Sequence, residues 1–181
     1  MRARAATTRR APEIPVTEMV DIVDAEDRVL RRATRAEMRR DNLLHRAVYV
    51  LVRNGRGELF VHRRTESKDI HPSHWDVTIG GVVAAGETYA AAAERELHEE
   101  IGVRATALRP LGPLRYEDAK TRIHGRVFAA TADGPLRLQA EEIAEGRFMA
   151  ADEVARVIAE RACCPDGLLV LRTYGGTVTG G

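Results

Sequence analysis

The chain has 181 residues, with 28 Lys and Arg against 27 Asp and Glu and a net charge of +1. That length suits one domain with a sizeable core, and near-neutrality implies no broad polyanion-binding surface. No apolar run approaches the length of a membrane span, and residues 1–15 lack the apolar centre of a secretory signal.

In chain order, residues 1–16 read as a disordered tail, with a transit peptide as the alternative. Residues 17–175 form a single domain, and 176–181 a flexible C-terminal tail. Within the domain, 17–44 is an N-terminal extension. Residues 18–23 alternate as a strand, 24–27 turn, and 28–32 return as a second short strand. Thr34 opens a helix running to about Asn42, with Glu37 at the capping-box spacing. Residues 45–52 and 58–63 are β-rich runs joined through Asn54-Gly55, a hairpin signal. A polar, basic stretch follows, then a helix-forming run from Thr88 with no Pro or Gly until Gly102. Residues 106–117 and 122–130 read as paired strands, 137–149 as a loop and a strand. Residues 152–160 form a helix, and Asp166 caps a last one through Tyr174. Cys163 and Cys164 are adjacent, a poor arrangement for a disulfide, and fit a reduced, cytoplasmic setting. Mixed strands and helices in this order predict an α/β domain with helices on the faces of a mixed sheet.

On the central helix, Ala90, Ala93, Leu97 and Ile101 fall on one apolar face, and Glu96, Glu99 and Glu100 form a stripe beside it. Neighbouring like charges destabilise a bare helix, and a divalent cation would remove that cost. Mg²⁺ takes oxygen ligands, typically one or two carboxylates plus substrate phosphates. The carboxylates alone favour a solvated acidic face, since Glu-rich helices are common.

The whole spacing is more specific. Gly81, five residues, Glu87, seven residues, Arg95-Glu96-Leu97, one residue, Glu99-Glu100, one residue, Gly102 and aliphatic Val103 resemble the Nudix box of the Nudix hydrolases at all nine specified positions. The resemblance implies an α-β-α sandwich that binds Mg²⁺, with Mn²⁺ as the alternative, and hydrolyses a diphosphate linked to another group. It implies Glu96, Glu99 and Glu100 as metal carboxylates, a carbonyl near Gly80 or Gly81 as a further ligand, and Glu87–Arg95 as a structural ion pair. Glu99, Glu100 or a carboxylate from a later loop would act as base; Glu142, with Glu141 beside it, is the loop candidate.

Residues 63–81, with Arg63-Arg64, Lys68, Pro72 and Trp75, also resemble the corresponding part of type I isopentenyl-diphosphate isomerase. That likeness implies Arg64 and Lys68 as diphosphate-binding residues. Arg63 is an equal balance of substrate contact and solvated loop. Ile79 stands at the position of the isomerase's catalytic Cys and Gly81 at that of a metal-binding His. Isoleucine cannot transfer a proton, which argues against isomerase chemistry. His45, at a metal-ligand position of the isomerases, is expected to be structural. His71 and His74 read first as solvated, with substrate contact as the alternative; His62 and His98 carry no expected role. Trp75, Tyr116 and Phe128 are expected in the core rather than stacked on a base.

The sequence therefore predicts a Mg²⁺-dependent pyrophosphohydrolase acting on a nucleoside di- or triphosphate or a related diphosphate. An isomerase-like enzyme and a non-catalytic diphosphate sensor are the rivals. Its partner is a small-molecule diphosphate, with no nucleic acid and no membrane; oligomeric state stays open, a homodimer included.

Overall fold

The computed structural model describes residues 18–104 and 108–178. The expected N-terminal tail and the last residues of the C-terminal one lie outside them. The organising strand is β3 (Leu44–Arg53). Its run of β-branched and aromatic residues alternates sides with period two, and both sides are buried. Val48, Val50 and Val52 point into one core, and Ala47, Tyr49 and Leu51 into the other.

Around β3 the sheet is mixed. β8 (Arg122–Thr131) lies parallel along the whole of one edge, from Leu44↔Arg122 to Arg53↔Thr131, and β7 (Arg109–Glu117) pairs antiparallel outside it. The other edge is divided. β1 (Met19–Val23) touches it at Ile22↔His45, and β6 (Ile79–Val82) continues from Ala47 to Val50. β2 (Val29–Thr34) closes the N-terminal hairpin on β1. The Asn54-Gly55 turn is present, but the expected hairpin splays: β3 and β4 (Leu59–Arg64) share only Arg53↔Leu59. β4 instead pairs with β9 (Ile143–Met149) and with the short β5 (Trp75–Asp76). The edges of β3 are already taken by β8, β6 and β1, so β4 completes its hydrogen bonds elsewhere.

Helices cover both faces, as an α-β-α sandwich requires. α2 (Tyr89–Ile101) packs on the face carrying Val48, Val50, Ile79 and Phe128. α3 (Ala151–Glu160) and α4 (Pro165–Tyr174) bring Val154 and Val170 to the other. α1 (Arg35–Arg40) is capped by the Thr34 hydroxyl, which accepts from the Glu37 amide, and buries Met38 against Val20, Ile22 and Val82. α4 differs from expectation at its start. Cys164 is the N-cap, Pro165 occupies the first turn where its missing N–H costs nothing, and Asp166 lies inside the helix. After Tyr174 the chain continues as a short 3₁₀ turn (Gly175–Val178), where a mobile tail was expected to begin. Among the described residues no helix is long and apolar enough to cross a membrane.

Candidate active site

α2 sets the site. The Thr88 hydroxyl accepts from the Ala91 amide at its start. Gly102 ends it at φ 71°, with amides of Gly102 and Val103 returning to His98 and Leu97 carbonyls. The buried face comprises Ala92, Ala93, Leu97, Glu100 and Ile101. Ala90, predicted on that face, is exposed: the helix is rolled so that Ala92 takes the inward place. The roll carries Glu100 inward, to 5% exposure, and leaves the Glu99 side chain half exposed.

Two glycines bring β6 against this helix. A side chain on Gly80 would run into the Val48 carbonyl of β3, and one on Gly81 would occupy the place of the Glu96 carboxylate. Space, not backbone conformation, requires glycine at both positions. Glu96 is thereby packed directly on the β6 backbone.

Glu87 and Arg95 form the expected pair. Arg95 donates from Nε and Nη2 to the two Glu87 oxygens, each at 3.0 Å, and from Nη2 to the Val82 carbonyl at 3.2 Å. Glu87 also accepts from the Ala84 amide at 3.0 Å, which ties the loop before the helix to the helix itself. Burial alone would raise the Glu87 pKa, but Arg95 and the Ala84 amide outweigh it and hold it below the usual value. Arg95 Nη1 then reaches Glu96 at 2.8 Å and Glu99 at 3.3 Å.

Among the described residues no three His, Cys, Asp or Glu side chains converge on one point. Arg95 holds Glu96 and Glu99 to itself, so the three helix carboxylates share a cleft without forming a closed cage. Their chemistry nevertheless fits a hard divalent cation. Glu100, buried, and Glu96, partly buried, are oxygen donors of like kind. Burial, reinforced by Glu96, pushes Glu100 up to about 8, and burial raises Glu96 despite Arg95. A cation offsets both costs.

Opposite the carboxylates stand the cations predicted from the basic stretch. Lys68, Gly80, Gly81 and Val82 line a cleft shared with Glu96, Glu99, Glu100 and Glu142. The same four residues also border a deeper part holding Arg64, His45, Asp76 and Asp166, with about 610 Å³ of space partly open to solvent. Arg64 gives Nη2 to the Ile70 carbonyl at 3.0 Å and keeps Nη1 3.9 Å from Asp76, while its buried Nε has no hydrogen-bond partner. Lys68 is ion-paired to Glu142, and burial, then Arg64, lowers its pKa. Glu142 is held there because Thr65, just after β4, donates its amide to the Glu142 carbonyl and its hydroxyl to that of Glu141.

The structure separates Arg63 from this group. Alternation along β4 turns it to the other face, where Nε donates to Glu145 of β9 at 2.7 Å, and neither part of the cleft includes it. Glu141 is exposed. His71, expected first as solvated, is buried and borders the deep part. Asp76, Asp166, Tyr49, Arg35 and Arg39 were not anticipated. Asp76 could have been suspected, since an acid inside the strand-like run from Trp75 to Ile79 signals a buried carboxylate. Arg35 and Arg39 lie one turn apart on α1, and Arg39 donates to Asp69 at 3.0 Å, fastening α1 to the loop that carries Lys68.

An α-β-α sandwich with carboxylates on a glycine-backed helix, facing an Arg–Lys pair, fits a hydrolase of pyrophosphate bonds. The chain belongs to the Nudix family: the NUDIX domain model matches residues 43–163. It is 44% identical over 157 residues to the Nudix hydrolase PA4841 of Pseudomonas aeruginosa, covering 87% of this chain and 93% of that one. It is 39% identical over 158 residues to the Nudix hydrolase YfcD of Escherichia coli, covering 87% of each. The crystal structure of DR0079 from Deinococcus radiodurans superposes with a TM-score of 0.73 at 30% identity, over 87% of this chain and 99% of that one. The protein is a hydrolase, of a family that generally uses divalent metals.

Proposed function

We propose that this protein is a Mg²⁺-dependent pyrophosphohydrolase that cleaves the diphosphate linkage of a nucleoside di- or triphosphate or a related compound, Mn²⁺ serving in place of Mg²⁺. The observation that carries this reading is the opposition of buried Glu100 and partly buried Glu96 to the partly buried Arg64 and Lys68 around the strand from Gly80 to Val82. Glu96, Glu99 and Glu100, with a carbonyl of Gly80 or Gly81, would hold the cation, which neutralises diphosphate charge and acidifies a bound water.

Arg64 grips the phosphate oxygens with the donors it does not use internally, and Lys68 adds a point charge. When a phosphate takes Lys68, Glu142 loses its partner and becomes free to orient water. Glu142, Glu99 or Glu100 accepts the proton as the water oxygen bonds to phosphorus. The bridging P–O bond breaks, its electron pair leaving on the departing phosphate, whose charge Arg64 and Lys68 stabilise. Two phosphate-bearing fragments result. Ile79 is fully buried under α2, with no proton to exchange, which supports hydrolysis over isomerisation.

The test is release of phosphate and nucleotide from a panel of diphosphates, with and without Mg²⁺, by wild type and Glu99→Gln. Metal-dependent cleavage, reduced by orders of magnitude in the variant, is expected. Turnover near wild type in Glu99→Gln would remove the role assigned to that carboxylate.

A further inference from the structure

The segment before β3 lies outside residues 43–163, the part that matches the family's domain, yet it brings a guanidinium to the cleft. Arg35 of α1 borders both the carboxylate part and the deeper part, at the boundary where Lys68 and the strand from Gly80 to Val82 also stand. Arg64 borders the deeper part but not the carboxylate part. Positive charge is concentrated at this boundary. Burial and then Arg64 lower the Lys68 pKa, and Arg35 presses in the same direction. Cations gathered around one cleft repel one another, and an anion between them removes that cost.

The ion pairs that Arg35 makes are not what holds α1 in place. Its Nη1 donates to the two Glu18 oxygens at 3.0 and 3.3 Å, and its Nη2 stands 3.8 Å from Asp69, beyond hydrogen-bond reach. The Arg35 side chain is 36% exposed and that of Glu18 44%, and pairs so exposed add little stability. α1 is fastened without them. The Arg35 amide donates to the Glu18 carbonyl at 2.8 Å, the Thr34 hydroxyl caps the helix, and Met38 is buried. Arg39 donates to Asp69 and to the Thr121 hydroxyl. Arg39 is thus committed to its contacts, whereas Arg35 rests on an exposed carboxylate that itself lines the cleft. Lys68 rests in the same way on Glu142. A phosphate that replaces Glu18 returns that acid to solvent and leaves no buried charge unpaired.

We infer that Arg35 is a substrate-binding residue: on binding, its guanidinium leaves Glu18 and, with Lys68, takes non-bridging oxygens of the phosphate that lies between the α2 carboxylates and Arg64. A segment N-terminal to the family's domain thereby completes the phosphate site. This rests on the reading of the cleft as a diphosphate hydrolase. Arg39 is a positioning residue, which holds the loop of Lys68.

The experiment measures methylenediphosphonate binding by calorimetry in Mg²⁺, alongside urea midpoints, for wild type, Arg35→Ala, Arg35→Lys, Glu18→Gln and Arg64→Ala. Arg35→Ala should weaken binding roughly tenfold or more, through loss of a charge-assisted contact. Arg35→Lys keeps the charge without the fork and should regain part of it. Glu18→Gln should tighten binding by roughly two- to fivefold, because it removes the competitor for the guanidinium. The opposite signs separate a ligand role from a mere staple of α1, in which either substitution breaks the same pair and has the same effect. Weakening in Arg35→Ala with binding unimpaired in Glu18→Gln supports the inference. Unchanged binding in Arg35→Ala, or equal weakening in both, overturns it, and weakening in Arg64→Ala in that series leaves the hydrolase reading standing. Should Arg35→Ala fail to fold, Glu18→Gln carries the test alone: tighter binding supports the inference, and unchanged or weaker binding overturns it. Wild type that neither binds methylenediphosphonate nor cleaves any compound of the diphosphate panel overturns both.

Discussion

Replacing Gly81 with Ala adds one methyl group at the point where β6 and α2 meet. The new carbon would lie 2.8 Å from Glu96 Cδ and 3.1 Å from its Oε2, where carbons normally rest about 3.5–4.0 Å apart. Relief requires the carboxylate to retreat by roughly 1 Å. Glu96 cannot do so freely, because Arg95 holds it at 2.8 Å and Arg95 is itself pinned by both oxygens of Glu87. Overpacking of this kind costs about 1–3 kcal/mol of stability. Displacement of a metal-binding carboxylate by about 1 Å costs roughly 100-fold in rate. Urea unfolding and steady-state hydrolysis of a diphosphate in saturating Mg²⁺ read the two effects separately. A Gly81→Ala protein that turns over within twofold of wild type would refute the argument that glycine is needed here to seat Glu96.

Arg64→Ala should lower kcat/KM by roughly 100-fold or more through loss of a charge-assisted phosphate contact, while Arg63→Ala, outside the cleft, should stay within about twofold. Parallel kinetics on the two variants check this, and equal losses would contradict the assignment. Glu87→Ala should cost about 1–2 kcal/mol in urea unfolding, because it removes a bidentate partner of Arg95 and the acceptor of the Ala84 amide; an unchanged midpoint would count against it. His45 and His62 are buried neutral, with pKa values lowered by burial to about 4 and about 3 from 6.5. Their contribution is fully present above pH 6.5 and is lost as pH falls toward 4, His45 alone accounting for on the order of 3 kcal/mol. Unfolding measured at pH 7.5 and 4.5 should show this loss, and His62→Phe should lessen it; equal stability at the two pH values would contradict it.

α2 was legible because its signals are local: the run from Thr88 has no Pro or Gly until the Gly102 cap, and the acidic spacing follows one helix turn. The space that requires glycine at Gly81 is set by Glu96 on α2. β3 was legible because a strand buried on both sides carries a near-continuous apolar run, here from Ala47 to Val52. What the sequence left unread depends on contacts distant along the chain. Arg63 and Arg64 are adjacent and chemically alike, and only the pairing of β4 with β9 decides which one faces the cleft. The partition of β3 and β4 into different strand neighbours could not be seen in an Asn-Gly turn. Asp76 meets Asp166 and Tyr49 only because α4 returns to the sheet, and His45 meets the cleft at the point where β1 gives way to β6 along β3. The inward roll of Glu100 was missed because helical periodicity alone does not say where an apolar face is centred.

The most direct measurement is binding of methylenediphosphonate, an uncleavable diphosphate, by calorimetry with and without Mg²⁺, in wild type, Glu100→Gln and Arg64→Ala. If the carboxylates and the Arg–Lys pair clamp a diphosphate between them, binding requires Mg²⁺ and is strongly weakened in both variants. Binding that is equally tight without the cation, or that is indifferent to either substitution, would contradict the clamp.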